Sequence, residues 1–192
     1  MLTDPVRTYQ DLRDAYLRYF DTAFWLRDPR LMTERRSLLE EDGRLFTDPL
    51  IPNAAFGMRI DSDQPIVAER AVYFDNGRAG YDSAAIAAPA TEWFLPEGGT
   101  TGSFEEQLNV LNPQNQPVNV QVDYRPEDGD APPPQRFSLA ATSRLTLDIN
   151  PQVQDTNVAL RVTSDRPIVV ERVSYFARAG GLGATSSTGL TR

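Results

Sequence analysis

The chain carries two patterns of apolar positions, and one gives way to the other near residue 52. Before this point apolar residues recur every three to four positions, which is typical of amphipathic helices. After it apolar and polar residues alternate, which is typical of strands with one buried face. The alternation is clearest in the runs 118–124, 137–141 and 145–149. We therefore expect a mainly β chain with an N-terminal α-helical hairpin.

The N-terminal segment, residues 1–52, predicts two helices. Thr8 and Asp11 resemble a capping box for the first helix, and Asp28-Pro29 provides an N-cap and a first-turn residue for the second. Two short helices cannot bury their apolar stripe alone, so it must pack on the β part, on another copy or on another protein. The candidate partner-binding residues of the stripe are Leu12, Tyr16, Phe20, Phe24, Leu31 and Leu38.

One stretch occurs twice in the chain. Residues 54–74 read AAFGMRIDSDQPIVAERAVYF, and residues 156–176 read TNVALRVTSDRPIVVERVSYF. They align without a gap, 102 residues apart, and share ten identical positions, which indicates an internal repeat. Each copy predicts a β-hairpin, because Ser-Asp-x-Pro favours a turn between two strand-like segments. The structural residues expected to hold the hairpins are Pro65 and Pro167 in matching turns, and Tyr73, Phe74, Tyr175 and Phe176 in the closing strands.

Each copy also contains a Glu-Arg pair, Glu69-Arg70 in the first and Glu171-Arg172 in the second. Neighbours in a strand point to opposite faces, so one member of each pair is a candidate for contact with a partner. The favoured interpretation is a solvated charge or a cross-strand pair.

The composition excludes several kinds of chemistry. The chain has no Cys and no His, so disulfides, thiolate metal sites and the commonest general base are absent. Its 19 basic residues are all Arg, and the formal net charge of −8 argues against a nucleic-acid-binding surface. No apolar run is long enough for a membrane span, and the first residues lack the core of a signal peptide. We expect no enzyme activity, cofactor, metal or small-molecule substrate, and a cytoplasmic location if the chain is complete as given.

Two acidic turns and a carboxylate pair also resemble functional sites. The turns at 61–63 and 127–130 offer oxygen atoms to Ca²⁺, but neither has the ligand order of a calcium loop, and turn chemistry explains both. Glu105 and Glu106 are neighbours in a predicted strand, so their side chains point apart and cannot share a substrate. Trp93 and the aromatic residues of the repeat are either a binding strip or core residues, and we favour the core.

Three motifs between residues 53 and 192 form a larger pattern. They are Trp93 followed by Glu97-Gly98, the turn Leu111-Asn112-Pro113, and the Ser-Asp-x-Pro-Ile-Val-x-Glu-Arg-x-x-Tyr-Phe stretch of both repeat copies. Together they resemble the tandem immunoglobulin-like repeats of bacterial cell-surface proteins. This resemblance implies an immunoglobulin-like antiparallel β-sandwich at 91–178. The closing hairpin of an earlier repeat plus a linker would precede it at 53–90, and a flexible Gly/Ser/Thr tail would follow at 179–192. It further implies a non-catalytic structural or adhesive module for spacing or protein–protein contact, at the cell surface or outside the cell.

The stretch 18–51, RYFDTAFWLRDPRLMTERRSLLEEDGRLFTDPLI, resembles the N-terminal leader of large bacterial DEAD/DEAH-type helicases linked to phage defence. No phosphate loop and no Asp-Glu-x-His box follow, so the resemblance implies no ATPase activity. It implies an alternative function, an intracellular accessory of a defence system that docks a partner through residues 1–52. The abrupt join between the two resemblances also fits a gene fusion. In either reading we expect a protein partner or self-association.

Overall fold

Strands make up most of the structure, as the alternating pattern predicts. The computed structural model describes residues 55–192, so the predicted helical hairpin at 1–52 and its candidate partner-binding residues lie outside the described residues. Within 55–192 there is no α-helix, and the prediction of a mainly β, antiparallel chain is confirmed. Nothing helical in this part has the length and apolar character to cross a membrane. The strands are β1 (Glu69–Phe74), β2 (Ala79–Ala84), β3 (Ala90–Leu95), β4 (Glu105–Leu111), β5 (Val118–Pro126), β6 (Gln135–Leu139), β7 (Arg144–Asp148), β8 (Val158–Arg178), β9 (Gly181–Thr188) and β10 (Leu190–Thr191).

The chain divides into two units, with the boundary between Glu69 and Arg70. Of the first unit the structure describes residues 55–69, which contain no strand before Glu69. The predicted first strand of this repeat copy is therefore wrong. A strand needs a paired neighbour for its backbone groups, and no described strand pairs with this segment. The predicted turn is present locally, because the Ser62 hydroxyl donates a hydrogen bond to the carbonyl of Gln64.

The second copy of the repeat forms one strand instead of a hairpin. β8 runs through it without interruption, so the hairpin predicted for 156–176 is wrong. The Ser-Asp-Arg-Pro sequence at 164–167 lies where β8 leaves one set of neighbouring strands and joins another. Pro167 has no N–H to give to a ladder and is tolerated at such a break. The Ser164 hydroxyl donates to the carbonyl of Arg166 at 2.8 Å, the same local bond as in the first copy.

β8 takes part in two antiparallel ladders. In the first ladder its N-terminal half lies between β3 and β5, and the strand order is β10-β3-β8-β5-β6. In the second ladder its C-terminal half lies between β4 and β9, and the order is β7-β4-β8-β9. Val162 of the first half is opposite both Trp93 and Val122, and Val170 of the second half is opposite Val110.

The two ladders share one hydrophobic core. Its residues occupy alternate positions along the strands, which is why the sequence alternates there. Each fully buried aliphatic or aromatic side chain of this kind contributes about 1.5–3 kcal/mol to folding. The core residues are Trp93, Leu95, Leu108, Val110, Val118, Val120, Val122, Tyr124, Leu139, Ile149, Val153, Val158, Leu160, Val162, Ile168 and Val170.

The C-terminal residues differ from the sequence prediction. The segment 179–192 is predicted to be a flexible tail, but it contains β9 and β10. Gly180 and Gly181 have φ values of 114° and 152°, which glycine adopts readily, so the chain reverses directly after β8. β9 then pairs with β8 along its whole length, and β10 pairs with β3. Backbone pairing with these strands fixes a segment whose composition alone suggests flexibility.

β1 and β2 form a separate two-stranded sheet. The region predicted to be a linker after β1 therefore contains a strand. The turn between the two strands has positive φ at Asp75 and Gly77, 50° and 78°, and the Arg78 N–H closes it with a 3.1 Å bond to the Asp75 carbonyl. Residues 85–89, which have no regular structure, connect this β1–β2 hairpin to β3.

Candidate interaction site

The two copies of the repeated stretch meet at a salt bridge. Arg70 lies on β1 and Glu171 on β8, and Arg70 Nη2 is 2.8 Å from Glu171 Oε1 and 2.7 Å from Oε2. The two side chains are 33% and 13% exposed, so water screens the pair less than it screens a surface ion pair. The Arg of the first Glu-Arg motif therefore binds the Glu of the second.

A cluster of three aromatic rings lies beside this salt bridge. The ring of Tyr175 meets Phe74 edge-on at a centroid distance of 5.4 Å and Tyr81 at 6.2 Å. The guanidinium carbon of Arg70 lies 6.0 Å from the centre of the Tyr81 ring, at the outer limit of a cation–π contact. Burial, and after it the neighbouring Tyr175, raises the pKa of Tyr81 above its ordinary value. The Tyr81 hydroxyl is neutral in the physiological pH range even at its ordinary pKa of 10.0, and the shift extends its neutral form to higher pH.

These contacts place the β1–β2 hairpin on one face of β8 and β9. Glu171, Val173 and Tyr175 alternate along β8 and share this face, and Ser186 of β9 lies opposite Val173. Val173 is fully buried, and the Ser186 hydroxyl donates to the carbonyl of Asp82 on β2 at 2.8 Å. We call the surface formed by Glu171, Val173, Tyr175 and Ser186 the acceptor face, because it receives the hairpin.

A second unusual group is a buried carboxylate in β4. Glu106 is 1% exposed and shares the inward face of its strand with Leu108 and Val110. Its Oε2 accepts a hydrogen bond of 2.6 Å from the N–H of Gly99. A methyl group at Gly98 would overlap the Glu106 carboxylate, so the glycine of the Trp-x-x-x-Glu-Gly motif leaves the space that this side chain fills.

The surroundings of Glu106 favour its protonated form. Burial raises its pKa to about 7, against the opposing effects of the Arg172 charge and of the hydrogen bond from Gly99. Glu106 Oε1 and Arg172 Nη1 are buried and have no hydrogen-bond partner within residues 55–192. The carboxylate can exchange a proton near neutral pH, but its burial keeps it out of reach of a substrate in solution.

The first ladder carries an open groove of about 480 Å³. Asp165 in its wall accepts hydrogen bonds of 2.8 Å from the N–H and from the side-chain amide of Asn119. These bonds, the backbone one first, lower the pKa of Asp165. Arg136, also in the wall, donates to Gln121 at 2.9 Å. The charged groups of the groove therefore bind to the wall itself.

The structure places three of the predicted structural residues as follows. Trp93 is 1% exposed, and its Nε1 donates to the carbonyls of Ala90 at 3.1 Å and Ile168 at 3.2 Å. Pro65 and Pro167 are both exposed. They do not lie in matching hairpin turns, because β8 continues through Pro167.

The closing aromatic residues of the two copies lie in different environments. Phe74 and Tyr175 contact each other in the interaction site, whereas the Tyr73 side chain is 43% exposed. Phe176 lies on the opposite face of β8 from Tyr175, with its ring centroid 5.4 Å from that of Phe104. The aromatic residues do not form one continuous strip.

The sequence reasoning missed two features of the site. It favoured a solvated or cross-strand role for the Glu-Arg pairs and did not connect Arg70 with Glu171. It also treated Glu106 only as a neighbour of Glu105, although the alternation of Glu106 with Leu108 was a signal of burial; Glu105 is exposed. In the part of the chain that the structure describes, no group of three acidic residues is arranged to hold a metal ion.

No family model and no curated protein matches the chain. Among solved structures, the crystal structure of Thermotoga maritima 1070 is similar with a TM-score of 0.50 and 14% identity, covering 54% of this chain and 96% of its own. The Anabaena sensory rhodopsin transducer is similar with a TM-score of 0.40 and 21% identity, covering 46% of this chain and 99% of its own. The likeness to the Thermotoga protein indicates a shared fold over about half of the chain and says nothing of function.

Proposed function

We propose that the chain is a non-catalytic module of a tandem immunoglobulin-like array, which spaces its neighbours and makes protein–protein contacts at the cell surface. The observation that carries this proposal is the salt bridge between Arg70 and Glu171. It joins the closing strand of one copy of the repeat to the following copy. Stacking of neighbouring repeats through such an interface is what gives a tandem array its stability.

The two ladders support the β-sandwich part of the proposal. An immunoglobulin-like sandwich packs two antiparallel sheets over a core of alternating residues, and here two ladders enclose one such core. The β1–β2 hairpin then corresponds to the end of a preceding repeat. β1 ends with its Glu-Arg-x-x-Tyr-Phe sequence, and β8 ends just beyond its own. Each of these strands is followed by an antiparallel partner strand.

Two groups with shifted pKa values are better explained by structure than by catalysis. Glu106 has the raised pKa of a general acid, but the core and the backbone at Gly98 and Gly99 enclose it. Asp165 lies in an open groove, but its two hydrogen bonds from Asn119 lower its pKa and weaken it as a base. Neither group combines access with a pKa suited to proton transfer at neutral pH.

An antibody against the chain tests the proposed location in cells that produce it. Labelling of intact cells is expected for a surface module, and an antibody against a cytoplasmic marker is the control for leakage. Labelling only after permeabilisation would overturn the surface assignment. It would favour the alternative, an intracellular accessory of a helicase-linked defence system that docks through residues 1–52.

Hydrogen exchange tests the contact between repeats. In Arg70→Glu two carboxylates would face each other, so the amides of β1 and β2 should exchange about tenfold faster or more, the equivalent of roughly 1.4 kcal/mol of lost docking. Arg70→Glu combined with Glu171→Arg reverses the pair and should restore slow exchange. If Arg70→Glu alone leaves the amides as slow as in the unmodified chain, the salt bridge does not hold the repeats together.

A further inference from the structure

We infer that the acceptor face also binds the β1–β2 hairpin of a second copy of this chain, so that two copies associate by exchanging hairpins. This inference rests on the proposed docking of one repeat on the next and names a partner for the same surface. The donor is the face of β1 that carries Arg70 and Phe74, and the acceptor is the face of β8 that carries Glu171 and Tyr175.

The hairpin is attached in a way that permits exchange. Among the described strands, β1 and β2 pair only with each other, so no backbone ladder ties the hairpin to the rest of the fold. Residues 85–89, its connection to β3, form no regular structure. A lone two-stranded hairpin is marginally stable in water, so the hairpin gains stability from a surface that covers it. The hairpin can make the same contacts with this surface in its own chain and in a second copy of the chain.

Each contact described between the hairpin and the acceptor face involves at least one side chain, which makes it specific. Arg70 and Glu171 supply opposite charges, with the single nitrogen Nη2 in contact with both carboxylate oxygens, and Tyr175 packs against Phe74. The acceptor face is apolar at its centre, because Val173 lies there and is fully buried. A second copy offers the same charges and rings, so the acceptor face discriminates for this hairpin over an unrelated one.

Concentration decides between the two arrangements. A short connection gives docking within one chain an effective concentration of about 1 mM. The single chain should therefore predominate at micromolar protein, and exchange should become measurable as the protein approaches millimolar concentration or when docking within the chain is blocked. Exchange of identical elements is a common route to dimers of this kind.

Two charge-reversed variants test the inference with the full chain. Arg70→Glu places two carboxylates in the pair, and Glu171→Arg places two guanidinium groups there, so neither variant can dock its own hairpin well. When the two variants are mixed, the hairpin of Arg70→Glu can dock on the acceptor face of Glu171→Arg, and the hairpin of Glu171→Arg can dock on the acceptor face of Arg70→Glu. Each of the two sites then pairs a carboxylate with a guanidinium group. Light scattering coupled to size exclusion should then give twice the 21.4 kDa of one chain. Native mass spectrometry with one variant isotope-labelled should show one copy of each.

The double variant, Arg70→Glu with Glu171→Arg, is the matched control. It should behave as a monomer with slow exchange at β1 and β2, which demonstrates folding and docking within the chain. If the double variant docks but the mixture stays as two monomers, the exchange inference is wrong and the proposed repeat contact stands. If the double variant does not recover slow exchange, the contact itself fails and the inference falls with it. Homodimers of equal abundance in each separate variant would also overturn it, because such association would not depend on the charge pair.

Discussion

Replacing Glu106 by Gln should change how the stability of the protein depends on pH. The carboxyl group has a pKa of about 7 in the folded chain, against 4.5 for its ordinary value, because burial disfavours the charged form. The folded state then binds a proton more tightly than the unfolded state. For an acid shifted in this direction, the unfolding free energy falls as pH rises from about 4.5 to about 7 and is level outside that window.

The size of the effect follows from the two pKa values. Each pH unit between them corresponds to about 1.4 kcal/mol, so the ionised side chain costs the folded state about 3 kcal/mol above pH 7. Gln keeps the shape of the side chain and an oxygen for the Gly99 N–H but cannot ionise. Glu106→Gln should therefore match the unmodified protein near pH 4 and exceed its stability by up to about 3 kcal/mol near pH 8.

Urea unfolding at intervals from pH 4 to 8 measures this difference. Other carboxylates titrate in both proteins, so subtracting the two profiles isolates Glu106. Glu105→Gln, one position along the same strand and exposed, is the matched control and should follow the unmodified protein. Parallel profiles for Glu106→Gln and the unmodified protein would refute the reasoning, as would a loss of stability in the variant at pH 8.

Three further outcomes concern the core and the change of sequence pattern near residue 52. Trp93→Ala should lower the unfolding free energy by about 3–5 kcal/mol in denaturant titrations, and a loss under about 1 kcal/mol would contradict its role in the core. Gly98→Ala should cost about 1–3 kcal/mol, because its methyl group overlaps Glu106; full additivity with Glu106→Ala would argue against that contact. A chain that starts at Asn53 should keep a cooperative β-type thermal transition by circular dichroism, because the two periodicities meet there. Loss of that transition would place residues 1–52 in the core.

The sequence predicts strands well where one face of the sheet is buried. The alternating runs 118–124, 137–141 and 145–149 fall largely on β5, β6 and β7. In these runs the apolar residues of the alternating pattern identify the face of the strand that packs against the core. Glu106 breaks the pattern, because it is a carboxylate at an inward position. The space beside Gly98 and the hydrogen bond from the Gly99 N–H accommodate it, and local alternation does not reveal either of them.

Local turn chemistry is a weaker guide in this chain. The Ser-Asp-x-Pro sequence makes the same hydroxyl-to-carbonyl bond at Ser62 and at Ser164, yet the backbone continues as a strand through the second copy. There β5 pairs with β8 before the motif, β3 pairs with it on both sides of the motif, and β4 and β9 pair with it afterwards. The Gly/Ser/Thr composition of 179–192 was misleading for the same reason. Strand pairing depends on neighbours that local composition does not reveal.

The two copies of the repeat use the same face of their closing strand in different ways. In β8, Arg172 lies close enough to the buried Glu106 to oppose the rise in its pKa. In β1, Arg70 binds Glu171, a carboxylate on a different strand with a different sequence around it. The arginine of the motif is therefore associated with a shielded carboxylate in both copies, although the carboxylate is not the same one.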